Sequence, residues 1–508
     1  MRLSVRLLSN DVLRFPENSN VFRFGTAMNP TLRNVNLTIA NGEGWAVMGS
    51  GKGVLLETIL GRHRVAPSPQ GGLFPFLNNF DPPRDPQSSV SQVSFAYRQR
   101  IASSGAFYDY TARYGAVREE DRITMRETLS VDPQTGLQIE SEEIDHLAER
   151  LQIRHLLDLP LVALSNGQTR RATVLQKILQ RPKVLVLDEP LTGLDKQTRP
   201  LLMDLLGELH RQNDPHIIIG LRPQDPLPDW ITHIAFVQDD TVISGSIDDR
   251  EIVKLRSSSA TFGASESVHV WPQASAGKTL VEIKSLNIGY NGRKVLENLT
   301  WTIREGERWH LVGPNGCGKT TLLSILTGDH PQSYVQKQLF LFGRPRTTLA
   351  TVQIQRQVGI VSPEIFNAFP RRLGPEMLSA RDAIATGFES TYSYRPRTPE
   401  QDIRIDTILS DLGLGVESGF DTSQPFASLK TSHQALVLFI RALVNHPPLL
   451  ILDEVFAGMD DTMITAAKQY LRKNLSPTQS VIFVSHWEEE LPWPTSEILR
   501  LTLGGESG

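Results

Sequence analysis

Short apolar runs alternate along this chain with segments in which apolar residues recur every three or four positions. The runs at 309–312, 449–452 and 481–484 have the length of strands that are buried on both faces. The segments 320–326 and 434–444 show the pattern of amphipathic helices. Strands that alternate with helices predict an α/β sheet. Two less regular stretches, about 80–160 and 345–425, are predicted to form inserted, more helical subdomains.

The chain repeats one pattern twice. A Gly-Lys pair ending at Lys52 recurs 267 residues later at Lys319, and an Asp-Glu pair beginning at Asp188 recurs 265 residues later at Asp453. A Gly-Glu-x-Trp tetrapeptide precedes each first pair, and a leucine lies 24 residues before each second pair. Landmarks at nearly one offset indicate a tandem duplication. The predicted units are a first domain at 1–256, a Ser-, Ala- and Gly-rich linker at 257–278 and a second domain at 279–508.

Charge and composition narrow the functional classes. The 508 residues carry 52 basic and 56 acidic side chains, a formal charge of −4, so we do not expect a nucleic-acid partner. No apolar run reaches the roughly 18–20 residues that cross a bilayer, so we expect no membrane span. The single cysteine excludes an internal disulfide and favours a reducing compartment. We therefore expect a soluble intracellular protein in the cytoplasm; the arginines near the N-terminus leave a mitochondrial location as the alternative.

A phosphate-binding loop lies in the second copy. Residues 313–320 read Gly-Pro-Asn-Gly-Cys-Gly-Lys-Thr, after a predicted strand and before a predicted helix, which is the context that this motif requires. Backbone N–H groups of such a loop curl around a triphosphate, the lysine reaches the β- and γ-phosphates, and the threonine offers its hydroxyl to Mg²⁺. The residues predicted to bind ATP here are Gly313, Pro314, Asn315, Gly316, Cys317, Gly318, Lys319, Thr320 and Thr321.

Three polar residues at strand ends complete this candidate site. Asp453 ends an apolar strand and is predicted to hold Mg²⁺ together with Thr320, either directly or through a water molecule. Glu454 beside it is the candidate general base that polarises the attacking water. His486 closes the next apolar run and is predicted to contact the γ-phosphate.

This combination resembles the ATP-binding-cassette (ABC) ATPases, twice over nearly the whole chain. The resemblance implies that Asp195 and Asp460 belong to D-loops and that Tyr290 stacks on adenine, with Phe22 or Phe24 as first-copy candidates for stacking or for core packing. It also implies a signature loop that contacts ATP through Ser165, Asn166, Gly167 and Gln168. Two fused cassettes without membrane segments are most similar to the twin ATPases associated with molybdate uptake. Cassettes of this family pair head to tail, so each ATP lies between one phosphate loop and the other signature.

The two copies differ at several of these positions. The first phosphate loop is three residues shorter, has Gly53 in place of Thr320, and its copy carries Arg222 at the position of His486. A gene-model error is the alternative explanation of the short loop. In the second copy, Lys430 and Ser432 replace the signature serine and glycine, and Pro363 stands where the family has a glutamine that couples to membrane subunits.

With head-to-tail pairing, the losses fall on one site. The intact loop faces the intact signature, and the broken loop faces the broken signature, which predicts one competent and one degenerate ATP site. The favoured function is an ATPase that couples closure on ATP to a membrane subunit or a soluble partner. The alternatives are a nucleotide-sensing module with little hydrolysis and, less favoured because the linker is short and nearly uncharged, a ribosome-acting ATPase. Cys317 is either a redox-sensitive thiolate near a helix N-terminus or a residue without a specific role, at a position that tolerates any small side chain.

Overall fold

The computed structural model contains two α/β units in tandem. It describes residues 10–25, 29–94, 123–132, 135–161, 164, 166–238, 240–261, 277–290, 293–372, 374, 377–390, 395–414, 420–493 and 497–502. The strands of the first unit are β1 (Asp11–Arg14), β2 (Ser19–Arg23), β3 (Leu32–Val35), β4 (Thr38–Ala40), β5 (Trp45–Met48), β6 (His63–Ala66), β7 (Val90–Ser94), β8 (Val184–Asp188), β9 (His216–Gly220), β10 (His233–Gln238) and β11 (Thr241–Ser246). Those of the second are β12 (Thr279–Tyr290), β13 (Arg293–Arg304), β14 (Arg308–Val312), β15 (Leu339–Leu341), β16 (Arg344–Pro345), β17 (Val358–Val361), β18 (Leu449–Asp453), β19 (Ser480–Val484) and β20 (Glu497–Arg500).

Helices connect these strands in both units. Those of the first are α1 (Lys52–Ile59), α2 (Pro86–Ser89), α3 (Met125–Leu129), α4 (Ser141–Arg150), α5 (Asn166–Leu179), α6 (Thr198–Gln212) and α7 (Arg250–Thr261). Those of the second are α8 (Lys319–Thr327), α9 (Thr351–Gln355), α10 (Pro363–Ala368), α11 (Ala380–Ala385), α12 (Pro399–Asp411), α13 (Thr431–Leu443) and α14 (Asp461–Lys473). Single 3₁₀ turns lie at Pro75–Asn79, Arg154–Leu156, Pro331–Val335, Arg346–Thr348, Thr386–Phe388, Phe426–Ser428 and Glu488–Glu490.

Both units have the same parallel sheet. Neighbouring strands follow the order β7-β8-β9-β5-β10 in the first unit and β17-β18-β19-β14-β20 in the second, and every pair in these two series is parallel. In the first unit the sheet continues beyond β10 through β11, β3, β2 and β6, and most of these added pairs are antiparallel. In the second unit the antiparallel strands form a separate sheet, β13-β12-β15-β16. The shared order confirms the tandem duplication and the α/β class.

The central strands are buried on both faces, as predicted. In β18, Leu450 and Leu452 join one core cluster, whereas Leu449 and Ile451 join the cluster on the opposite face. The two faces of β8 divide in the same way between two clusters of the first unit. Strands covered on both sides read as continuous apolar runs, which explains the sequence pattern.

The helix predicted at 434–444 is present, but it is not amphipathic. Helix α13 is buried along its whole length from Gln434 to Leu443 and has no solvent-facing stripe in that segment. It packs between β17 of the sheet and α11 of the helical subdomain. The amphipathic interpretation was wrong because the second face is covered by the inserted subdomain.

The predicted domain boundaries stay predictions. Helix α7 continues through the proposed end of the first domain at residue 256 and ends at Thr261. Residues 262–276, most of the predicted linker, lie outside the described part of the chain. Among the described residues, no helix is both long enough and apolar enough to cross a bilayer.

Candidate nucleotide-binding sites

The second phosphate loop connects β14 to α8. Gly313, Pro314, Asn315, Gly316, Cys317 and Gly318 form the loop, and Lys319, Thr320 and Thr321 form the first turn of the helix. Gly318 has a φ of +99°, and a Cβ there would lie 2.9 Å from the Leu296 side chain. Only glycine adopts this conformation in so close a space. The loop therefore turns tightly and directs the N-terminus of α8 towards the site.

Among the described residues, Lys319 forms hydrogen bonds to carbonyl oxygens of its own loop and no ion pair. Its Nζ donates to the carbonyl oxygens of Gly313 at 2.6 Å and of Pro314 at 3.1 Å. A charged ligand offers an ammonium group a stronger interaction than a carbonyl does. The lysine can therefore exchange these carbonyls for phosphate oxygens.

Carboxylates gather at the end of β18. Asp453 is its last residue, and Glu454 follows with a φ of +46°, a left-handed conformation that non-glycine residues rarely adopt and that is typical of functional sites. Glu364, buried at the start of α10, lies near them; burial, Glu364 and Glu454 together raise the pKa of Asp453 well above its usual range. Glu364 was not predicted from the sequence, although an acidic residue three positions after β17, the neighbour of β18, was a signal for it.

These residues fit a Mg²⁺ site in which phosphate oxygens of the substrate would complete the coordination of the ion. Lys319 and Arg170 offset part of the negative charge around Asp453, and a divalent cation would offset more. Within the described residues, no cluster of three or more His, Cys, Asp or Glu could hold a metal alone. Mg²⁺ is commonly bound by one or two protein oxygens together with phosphates and waters. Thr320 and Asp453 are suited to that arrangement.

His486 lies two residues beyond β19, next to the first unit. Burial, followed by the nearby Lys319 and Arg199, lowers its pKa to about 3. The imidazole is therefore neutral at physiological pH and can donate one hydrogen bond while it accepts another. Arg199 of the first unit donates to the carbonyl oxygen of His486 at 3.2 Å.

The first unit's signature segment lies against the second unit's phosphate loop. A Cβ on Gly167 would lie 2.1 Å from Nδ2 of Asn315, so only glycine allows this approach. Gln168 also faces the loop, at Gly316. Asp195 accepts a hydrogen bond from the backbone N–H of Asn315 at 3.0 Å. These contacts are those of head-to-tail pairing.

An arginine of the same signature helix reaches Glu454. Arg170 Nη2 lies 3.1 Å from Glu454 Oε2, and both side chains are largely buried. The other guanidinium nitrogen, Nη1, is buried without a hydrogen-bond partner among the described residues. Arg170 was not predicted as a site residue, because its partner lies 284 residues away in the sequence.

The first phosphate loop is arranged differently. Lys52 begins α1, but its Nζ forms an ion pair with Glu189 Oε1 at 2.6 Å. Despite burial, Glu189 and Asp188 raise the pKa of Lys52, and the lysine helps to keep the pKa of Glu189 below its usual range. Burial raises the pKa of Asp188 to about 6. The lysine that would meet phosphate is thus neutralised within its own unit.

The residue at the first copy's histidine position has an interface role. Arg222 lies two residues beyond β9, as His486 does beyond β19, and is buried. It pairs with Asp225 at 3.3 Å and with Glu490 of the second unit at 2.8 Å. Glu490 also accepts a hydrogen bond from Ser485, the neighbour of His486.

The replaced signature of the second copy faces charged groups of the first. Burial and the nearby Arg23 lower the pKa of Lys430, whereas Asp460 and Glu57 oppose that change. Asp460 accepts a hydrogen bond from the N–H of Met463, just as Asp195 does from that of Thr198, but Asp195 also reaches across to the opposite loop. The two aspartates that were predicted to belong to D-loops therefore differ in their contacts.

Some of the predicted contacts involve residues that the structure does not describe, and the two phenylalanines of the first copy have surroundings that were not predicted. Ser165 and the side chains of Asn166 and Tyr290 lie outside them, so their roles stay predictions. The Phe22 ring lies under the Arg64 guanidinium at 4.7 Å, and Phe24 is exposed, so neither phenylalanine is a core residue.

Cys317 does not have the environment of a reactive thiolate. Its side chain is 2% exposed, and burial raises the pKa of the thiol despite the nearby Lys319. Backbone N–H groups at the start of α8 do favour the thiolate, but burial in the core beneath the loop outweighs them, so the prediction of a redox-sensitive thiolate is not supported.

The fold and these paired sites define a twin-cassette nucleotide-binding protein. The family model described as ABC transporter matches residues 32–192 and 296–457, well over half of the chain. The chain therefore belongs to the ABC transporter family, with two cassettes, as the sequence motifs indicated.

Two relatives align with this chain over most of its length. An uncharacterised ABC transporter ATP-binding protein of Schizosaccharomyces pombe is 34% identical over 91% of this chain and 93% of its own length. The ABC transporter ATP-binding protein ModF of Escherichia coli is 29% identical over 91% of this chain and 92% of its own. The twin-cassette resemblance is confirmed.

Solved structures share the fold at low identity. A chain from a model of ribosome-bound archaeal Pelota and ABCE1 aligns with a TM-score of 0.61, 16% identity, and coverage of 95% of this chain and 76% of that one. A structure of RNase-L Inhibitor aligns with a TM-score of 0.52, 15% identity, and coverage of 97% and 89%. These likenesses concern the fold alone.

Proposed function

We propose that this protein hydrolyses ATP at one composite site, formed by the second phosphate loop and the first signature, and keeps its other site for a structural purpose. The observation that carries the proposal is the difference between the two loop lysines. Within the described part of the chain, the hydrogen bonds of Lys319 go to carbonyl oxygens, whereas Lys52 forms an ion pair with Glu189. A lysine in a buried ion pair gains little by moving to phosphate, because the carboxylate would be left without its partner.

The chemistry follows from the residues of the competent site. The loop N–H groups and Lys319 bind the β- and γ-phosphates, and Gly167 lets the signature backbone approach the γ-phosphate. Glu454 orients and polarises the attacking water, and the neutral His486 donates a hydrogen bond to the γ-phosphate. Mg²⁺ held at Thr320 and Asp453 would neutralise the charge that develops on the phosphates.

A pair of matched variants tests this assignment. Glu454→Gln should abolish ATP hydrolysis, whereas Glu189→Gln should leave most of it, with turnover measured by phosphate release. The two residues follow equivalent strands and share a positive φ, so the substitutions are equivalent in structure. The reverse ranking would overturn the assignment.

A nucleotide-sensing module is the second candidate. The intimate contact between the units, through Asp195 and Arg222, suits a protein that closes on ATP and opens slowly. Sustained turnover with excess ATP supports the ATPase; binding with at most one turnover supports the sensor.

We further propose that closure on ATP acts on a partner, either a separate membrane subunit or a soluble protein. The family membership supports the membrane version, and the replacement of the coupling glutamine by the segment at Pro363 weakens it. The test is capture of partners by the ATP-trapped Glu454→Gln protein in gently solubilised cells of its source, with the Lys319→Ala protein as control. A multi-span membrane protein captured only by the trapped form supports transport; a soluble protein captured only by that form supports a soluble switch.

A further inference from the structure

Glu454 forms an ion pair with a cation of the other unit, whereas the equivalent Glu189 forms one with a cation of its own unit. Glu454 pairs with Arg170, which the opposite unit contributes. Glu189 pairs with Lys52, which belongs to its own phosphate loop. Equivalent carboxylates thus have opposite relations to their loop lysines.

The sequence explains why the arrangement is not symmetric. Arg170 lies six residues after Leu164, and the residue six positions after Leu429 is Ala435. Ala435 is buried in α13 and has no charge to offer. The signature that faces the intact loop therefore carries an arginine, and the signature that faces the short loop does not.

We propose that Arg170 is a positioning residue that holds Glu454 away from Lys319 and so keeps the lysine available to ATP. The inference rests on the proposed function, because it assumes that Lys319 and Glu454 serve the hydrolytic site. Without the guanidinium, Glu454 is drawn to Lys319, as Glu189 is to Lys52, and the phosphate-binding lysine is neutralised. Gly193 gives the arginine its room: a Cβ there would lie 2.2 Å from Arg170 Nη1 and 2.7 Å from Glu454 Oε1.

The test is equilibrium binding of ATP to the full-length protein. Arg170→Ala should weaken ATP binding by about ten- to a hundredfold, the factor that one charge-assisted hydrogen bond contributes. Adding Glu454→Gln to Arg170→Ala should restore the affinity to within about twofold of Glu454→Gln alone, since the competing carboxylate is gone. Arg170→Lys should bind ATP nearly as the unmodified protein does.

Two control variants show whether the effect is specific to Arg170. Arg181→Ala removes a guanidinium–carboxylate pair just beyond α5, at a side chain that is 76% exposed, and should leave ATP binding unchanged. Lys319→Ala should weaken binding strongly; if it does not, the proposed site itself is wrong. If Lys319→Ala weakens binding but Arg170→Ala does not, or if the loss in Arg170→Ala persists after Glu454→Gln is added, the role of Arg170 is overturned. Rescue by removal of a second side chain is not expected of a merely structural arginine.

Discussion

The ion cluster around Arg222 offers a direct measure of how firmly the two units are joined. The guanidinium lies between Asp225, whose side chain is fully buried, and Glu490, whose side chain is 11% exposed. Both carboxylates raise the pKa of Arg222 despite its burial, so the arginine is charged at every accessible pH. Arg222→Met keeps most of the side-chain volume but leaves two buried carboxylates without their shared cation.

The expected cost is large. Removal of one partner from a buried ion pair destabilises a protein by about 3–5 kcal/mol, because the remaining charge is uncompensated. For a unit of about 150–250 residues, each kcal/mol lowers the melting temperature by roughly 2–4 °C. We therefore expect Arg222→Met to lower the melting temperature by about 6–20 °C.

The assay is thermal unfolding followed by circular dichroism at neutral pH. Arg181→Met breaks the exposed pair with Glu143 and should change stability by less than about 1 kcal/mol. Arg222→Met combined with Glu490→Gln should recover part of the loss, since one of the two stranded charges is removed. An unchanged melting temperature for Arg222→Met would refute the view that this cluster joins the units.

Three further outcomes follow from single residues. Gly167→Ala should abolish most ATP hydrolysis, measured by phosphate release, because its Cβ would meet the Asn315 side chain at 2.1 Å; Gly53→Ala, whose Cβ meets nothing within 4 Å, should leave hydrolysis unchanged. Burial lowers the pKa of the fully buried His330 to about 4. Its contribution to the free energy of unfolding is therefore complete above about pH 6.5. As the pH falls from there towards 4, up to about 3 kcal/mol of it is lost, because the unfolded chain takes up the proton first. His330→Asn can still accept the hydrogen bond from the N–H of Gln332. In this variant the free energy of unfolding, measured with urea, should change less between pH 7 and pH 4 than in the unmodified protein. An equal change in the two proteins would contradict this. Cys317 should react with a maleimide far more slowly than an unfolded control, and equal rates would contradict its burial.

Local patterns were sufficient for most of the fold. The apolar runs at 449–452 and 481–484 became β18 and β19 almost without change, because strands buried on both faces leave a continuous signal. The glycines and Lys319 located the second loop, since the motif is contiguous. Helix α13 was misread as amphipathic because the pattern cannot reveal which neighbour covers the second face.

The site contacts between distant parts of the chain could not be read from the sequence. Lys52 and Glu189 are 137 residues apart, and Arg222 and Glu490 are 268 residues apart. The short loop and the exchanged histidine predicted that the first site is degenerate, but not that its charges neutralise each other. Motif comparison finds which residue is missing, whereas the pairing of those that remain depends on how the units pack.

The number of ATP molecules retained by each chain tests the central claim most directly. The Glu454→Gln protein, equilibrated with Mg²⁺ and ATP and then desalted, should retain one ATP per chain. Lys319→Ala added to it should remove that ATP, and Lys52→Ala should not. Two ATP molecules per chain, or loss of the single ATP on Lys52→Ala, would contradict the assignment of one competent site.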